Sequence, residues 1–258
     1  KNLTLLERML RLIEGATNQK LNLRDIPFHD EKTFRLLQQG ESTGIFQLES
    51  DGMRRVLKQL KPSSFNDIVA TTSLYRPGPM TFIKDYIQSK HEQKKTFSHH
   101  VEINRILQPT FGVIVYQEQI IQLIQISAGY SLAEADVFRR AISKKQRELM
   151  NKDAFVERSI ARGYTKEEAE TLFALIEKFS NYGFPKSHAT AYSMISYWLA
   201  YLRVHYQEAF FAALCSANWQ DHQKLYNYIY EARKAGVEVL PPSIQDSHAL
   251  FTVENKSI

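Results

Sequence analysis

The stretch Thr165–Ile176, TKEEAETLFALI, decides the fold class. Ala169, Leu172, Phe173 and Ile176 recur at the spacing of one helix face. Thr165 and Glu168 stand just before that run at the spacing of a reciprocal cap, in which each side chain bonds the other residue's backbone N–H. Upstream, Ser131 and Glu134 repeat this helix-opening signature. Gln117 to Ile126 mixes glutamines with isoleucines and leucines too densely for a surface helix, so burial on most sides is expected. Leu225, Tyr228 and Ile229 begin a further amphipathic helix that ends near Gly236. Leu3, Leu6, Met9, Leu10 and Ile13 open the chain with the same period.

Strand signals are few and short: Ile45–Leu48, Val113–Tyr116, Val237–Leu240 and Ala249–Val253. Gly and Pro are sparse, 10 and 8 in 258 residues, which favours long regular elements over a turn-rich β protein. The expected fold is mainly α, a multi-helix domain with a few short β elements. Residues 15–30 read as a polar connector, Lys90–Lys95 (KHEQKK) as a solvated loop, and Pro241–Pro242 as a break before the last segment. The chain has no initiator Met and no signal peptide, and its final strand-like residues stop without a clear ending. It therefore reads as a segment of a longer protein.

The net charge of +5 is compatible with nucleic acid, nucleotides or an acidic surface. The single cysteine, Cys215, lies in an apolar run and reads as a small buried hydrophobe. The longest uncharged run, Ser187–Leu202, falls short of the roughly 20 residues of a membrane span and reads as a buried core helix.

No phosphate-binding glycine loop, nucleophile elbow, HExxH or CxxC is present. Two-metal phosphoryl chemistry needs close carboxylates, but Glu134 with Asp136 and Glu168 with Glu170 sit two apart on helices, on different faces. His99–His100 with Glu102 lacks a third ligand at useful spacing. No metal site and no catalytic residue are expected within the chain.

Three segments carry binding candidates, and a fourth, Gly44–Gly52, is not marked as a site by its physics. In Phe138–Arg147, FRRAISKKQR, Arg140 and Lys144 share a helix face, Arg139 flanks it, and Lys145 and Arg147 extend the charge. The cluster suits either a phosphate clamp, because an arginine forks two N–H bonds onto phosphate oxygens, or a cationic helix end favoured by the helix dipole. In Tyr182–Tyr192, YGFPKSHATAY, Gly183 and Pro185 make a turn and Ser187 is a plausible N-cap. Lys186, Ser187 and His188 would then lie at a helix N-terminus that attracts anions; the alternative is a simple capped turn with His188 in the core. In Tyr75–Pro79, YRPGP, Pro77–Gly78 suits a tight turn and Pro79 a first helical turn, an arrangement that holds Tyr75 and Arg76 or merely links two helices. Gly44–Gly52, GIFQLESDG, reads as a short strand leading into a helix, with Gln47 turned away from Phe46 and Leu48.

GIFQLESDGMRR, LYRPGPM, FGVIVYQEQ, GYSLAEADVFRRAISKK, YGFPKSHATAYS and LPPSI, in this order between residues 44 and 244, resemble the C family of bacterial replicative DNA polymerases in its DNA polymerase III alpha subunit type. The resemblance implies a fingers domain. Residues 1–30 would be the palm-to-fingers connection, 31–240 the fingers core and 241–258 the start of a following subdomain. It implies that Arg139, Arg140, Lys186, Ser187, His188, Tyr75 and Arg76 surround an incoming deoxynucleoside triphosphate, with Lys144, Lys145 and Arg147 near DNA or phosphate. Catalytic aspartates and their Mg²⁺ would belong to a palm outside these residues, leaving this part inactive alone. Primer-template DNA would be a partner; the sliding clamp and clamp loader would bind other regions. A bacterial cytoplasmic setting follows, with no membrane. The alternative is a basic helical module that grips primer-template backbone without a nucleotide pocket. Two departures from the family pattern stand out: Pro185 where asparagine is usual, and Ser243–Ile244–Gln245 where Asp–Ile–Asn is usual.

Overall fold

The computed structural model describes residues 1–92, 98–143, 151–245 and 247–258. Its helices are α1 (Asn2–Thr17), α2 (Glu31–Gln38), α3 (Asp51–Leu60), α4 (Phe65–Leu74), α5 (Ile83–His91), α6 (Val101–Leu107) and α7 (Gln117–Ala128). They continue as α8 (Leu132–Ser143), α9 (Lys152–Ile160), α10 (Lys166–Ser180), α11 (Lys186–His205), α12 (Gln207–Ala217) and α13 (His222–Lys234). The chain forms two compact units, one from residues 1–68 with 191–258 and the other from residues 69–190.

In the first unit, α1 buries Leu6, Met9 and Ile13 against α12, whose residues Ala209–Ser216 are all buried. Burial pushes the Cys215 thiol in that run up to about 12, so it stays protonated and apolar. α13 packs on the same helix through Tyr228 and Ala232, and its C-terminal turn includes Gly236 at φ 88°. Residues 15–30 are tied down at their far end. The Tyr197 hydroxyl donates to Pro27 O at 2.8 Å and accepts from Asp30 N at 3.0 Å, and burial raises its pKa to about 12.

The second unit is built around α7, which touches α6, α8, α9 and α10. Only Gln122 on this helix is exposed, as the dense apolar spacing predicted. α10 opens with the Thr165–Glu168 box, and α8 with the Ser131–Glu134 pair. Phe138, Phe155 and Phe173 meet at centroid separations of 5.6–6.2 Å between α8, α9 and α10.

The expected β elements are a correction. Among the described residues there are no strands, only isolated bridges at Tyr116–Phe184, Glu238–Ser257 and Glu254–Ser257. Ile45–Leu48 instead forms consecutive tight turns, with Ile45 N to Ser42 O at 3.1 Å and Leu48 N to Ile45 O at 3.0 Å, and Gln47 at φ 61°. Val113–Tyr116 is buried and Val237 also, but each of these runs pairs with a second backbone at one residue only, and Ala249–Val253 buries none of its residues; a strand needs successive pairs. Lys90 and His91 are helical in α5 rather than part of a loop, and residues 93–95 of that expected loop lie outside the described residues. No helix among the described residues is long and apolar enough to cross a membrane.

Candidate functional site

All the described candidate residues fall within the second unit, and the first group of them converges on the turn at residues 182–185. Gly78 takes φ 97°, a region that L side chains avoid, and lets the chain turn into a short 3-10 helix at Pro79–Phe82. A Cβ at Gly78 would stand 2.8 Å from Tyr182 Cε1, so the missing side chain is also room for that ring. Gly78→Ala is expected to cost about 2 kcal/mol, read as a lower thermal midpoint, because it adds backbone strain to a displaced aromatic ring.

Arg76 leaves that turn toward residues 182–184. Its Nε donates to Ser73 O at 2.8 Å and its Nη2 to Tyr182 O at 3.0 Å, while its guanidinium lies 4.2 Å over the Phe184 ring. Burial draws its pKa down, yet an arginine so far above neutral pH keeps its charge. Tyr75, half-buried, sits beside it.

The 182–185 turn is held from below by α7. Phe184 N donates to Val115 O at 3.0 Å, Gln117 N donates to Phe184 O at 3.1 Å, and Gln117 Nε2 donates to Gly183 O at 3.0 Å. Val115 and Tyr116 are themselves fixed by the buried Gln119. Its Oε1 accepts from both backbone N–H groups at 2.9 and 3.0 Å, and its Nε2 donates to Ile106 O at 3.1 Å and Thr110 Oγ1 at 2.7 Å.

α11 starts at Lys186, so Ser187 is not its N-cap, contrary to the sequence expectation. The Pro185 carbonyl accepts the first helical bond from Ala189 N at 3.1 Å, and Pro185 has no side chain able to cap. The cap comes from elsewhere: the Glu118 carboxylate accepts from Lys186 N at 3.0 and 3.1 Å. Lys186, Ser187 and His188 are exposed on the first turn. The Lys186 ammonium lies 5.5 Å over the Tyr116 ring, and the His188 ring meets Phe184 edge-on at 5.5 Å, so His188 is not a core residue.

Arg139 and Arg140 form the second group. Phe138, with Ala135, Ala141 and Ile142, is buried and sets the rotation of α8. Asp136 then serves both arginines. Its Oδ1 accepts from Arg139 Nε and Nη2 at 3.2 and 2.9 Å, and its Oδ2 pairs with Arg140 Nη2 at 2.7 Å. Arg158, from α9, pins the turn before α8 by donating to Ala128 O and Gly129 O at 2.9 and 3.0 Å. The two groups share α7, which packs on α8 and carries Gln117 and Glu118. Lys144, Lys145 and Arg147 lie outside the described residues.

Sequence reading missed Glu118, Gln119 and Asp136 as partners. Asp136 was legible, three and four residues before its arginines. Glu118 and Gln119 were not, because neither spacing nor composition announces a cap from another helix. No described group of three or more His, Cys, Asp or Glu is arranged to hold a metal, and the one carboxylate in the arginine cluster is already engaged by two guanidiniums. The described residues of this cluster therefore do not fit an Mg²⁺ centre.

A family model described as the bacterial DNA polymerase III alpha subunit finger domain matches residues 2–180. The chain is 49% identical to DNA polymerase III subunit alpha of Halalkalibacterium halodurans, over all of this chain and 23% of that protein. It is 48% identical to that of Bacillus subtilis, with the same coverage, and 44% identical to that of Staphylococcus aureus strain COL, over 24% of that protein. The chain thus spans about a quarter of the length of these curated relatives.

Proposed function

The chain belongs to the finger-domain family of the bacterial DNA polymerase III alpha subunit, and from that premise we propose that it is the fingers region of a DNA-templated DNA polymerase used in chromosomal replication. Residues 1–30 connect it to a palm, 31–240 form the fingers core, and 241–258 begin the next subdomain. Its second unit positions the incoming deoxynucleoside triphosphate.

The observation that carries this reading is the convergence of Arg76 and the Lys186–His188 turn on residues 182–184, although 106 residues separate Arg76 from Tyr182. A rigid, solvent-facing cationic surface suits a polyanionic ligand, because its donors are already held when charge arrives. Lys186 supplies a point charge beside the N-terminal turn of α11, and Tyr75, Ser187 and His188 border it. Arg139 and Arg140 supply planar forks for phosphate oxygens. These groups bind and orient the triphosphate and favour the negative charge that develops on the leaving pyrophosphate. Mg²⁺ and the aspartates that hold it belong to the palm, so these residues alone are inactive. Lys144, Lys145 and Arg147 contact DNA or phosphate. The sliding clamp and clamp loader engage other regions of the polymerase, which works on the chromosome in the cytoplasm.

Lys186→Ala in the full-length polymerase tests the reading against simple gripping of DNA backbone. The Michaelis constant for nucleotide is expected to rise about tenfold while primer-template affinity at fixed salt changes less than about twofold. An equal loss of both, with a shallower salt dependence of DNA binding, would favour the backbone-binding module.

A further inference from the structure

We propose that Asp136 is a positioning residue for the triphosphate clamp, holding the Arg139 and Arg140 guanidiniums side by side from beneath. The inference rests on the nucleotide-site reading of this unit. The carboxylate divides its two oxygens between the two arginines: Oδ1 takes two bonds from Arg139, and Oδ2 takes Arg140 Nη2 at 2.7 Å. The spacing makes this possible, because residues three and four apart lie over the same stretch of helix surface.

The environment of the three side chains divides their work. Arg139 is 12% exposed and Asp136 33%, whereas Arg140 is 57% exposed and turns its guanidinium to solvent. The buried Phe138 and Ala135 prevent α8 from rolling, so Asp136 is held at a set height beside its arginines. Two adjacent guanidiniums repel each other, and one shared carboxylate offsets that repulsion without occupying every donor, since a guanidinium carries five N–H groups. It also restricts long side chains before the ligand arrives. Binding a phosphate group then costs less ordering than it would with two unrestrained arginines. Glu118 has the corresponding place under Lys186, which it meets through the backbone N–H.

The test compares Asp136→Asn, Asp136→Glu and the Arg139→Ala/Arg140→Ala pair in the full-length polymerase at saturating primer-template. Asp136→Asn is expected to raise KM for nucleotide about tenfold with kcat within about twofold, and Asp136→Glu, which keeps the charge, to recover most of that rise. An ordinary helix-surface ion pair would move neither constant. If the arginine pair raises KM while Asp136→Asn leaves it unchanged, or lowers it as the loss of a competing anion would, this inference is overturned and the nucleotide-site reading stands. If the arginine pair itself leaves both KM and kcat unchanged, both fall. A lower melting temperature for Asp136→Asn with an unchanged KM in the folded protein also overturns it.

Discussion

Replacing Arg139 and Arg140 together with alanine is expected to lower kcat/KM for nucleotide by about 100- to 10,000-fold in the full-length polymerase. Each guanidinium that leaves a charged phosphate without its fork removes about 1.5–3 kcal/mol, and the two act on the same ligand. The loss should concentrate in KM if the arginines bind ground state and transition state alike, and in kcat if their bonds tighten as the pyrophosphate leaves. A double lysine substitution should fall between, because it keeps the charge and loses the planar fork. The stability change should come mainly from Arg139, which is 12% exposed, because the Arg140 pair with Asp136 is largely exposed and contributes less than about 1 kcal/mol. Steady-state kinetics with primer-template binding measured in parallel checks this. Unchanged KM and turnover in the double variant would remove the arginines from the pocket.

Gln119→Leu should produce the largest loss of stability. Leucine keeps the volume and removes every polar atom of the side chain. Val115 N and Tyr116 N lose their shared acceptor in a buried setting and the half-buried Ile106 O loses a donor, while Thr110 Oγ1 keeps its bond to Leu107 O. At about 1–3 kcal/mol for each buried group left without a partner, partly offset by rearrangement, the expected cost is about 4 kcal/mol. That corresponds to a fall of roughly 10 °C in the thermal midpoint for a chain of this size. The consequence reaches the site, because Val115 accepts from Phe184 N and so helps hold the turn before Lys186. A melt within about 2 °C of the unsubstituted protein would show that water or a neighbour replaces the amide. The arginine pair and Gln119 thus separate two kinds of damage: one removes contacts to a ligand from a sound scaffold, the other loosens the scaffold under sound contacts.

Pro185 shows how a helix start without a capping side chain is held. Asparagine at that position could cap α11 with its own side chain. Proline cannot, and the Glu118 carboxylate accepts from Lys186 N, one position before those that an N-cap side chain reaches. The sequence suggested a local cap at Ser187 and did not show the Glu118 contact, which comes from a residue 68 positions away.

The sequence by itself determined what short spacings encode. The Thr165–Glu168 and Ser131–Glu134 caps, the buried faces of α7 and α10, and the gathering of Arg139 and Arg140 over Asp136 all depend on residues three or four apart. Helix geometry brings such residues together whatever the rest of the chain does. Only the tertiary structure decided that the apolar runs Val113–Tyr116 and Val237–Leu240 stay extended without forming a sheet. Each run meets a second backbone at a single residue, Tyr116 at Phe184 and Glu238 at Ser257, and a strand needs successive pairs. Only the tertiary structure, again, joined Arg76 to Tyr182 and Phe184, Glu118 to Lys186, and Gln119 to the chain before α7. The first two contacts cross 106 and 68 residues, and the Gln119 network is set by how α6 and α7 pack, which no local periodicity specifies.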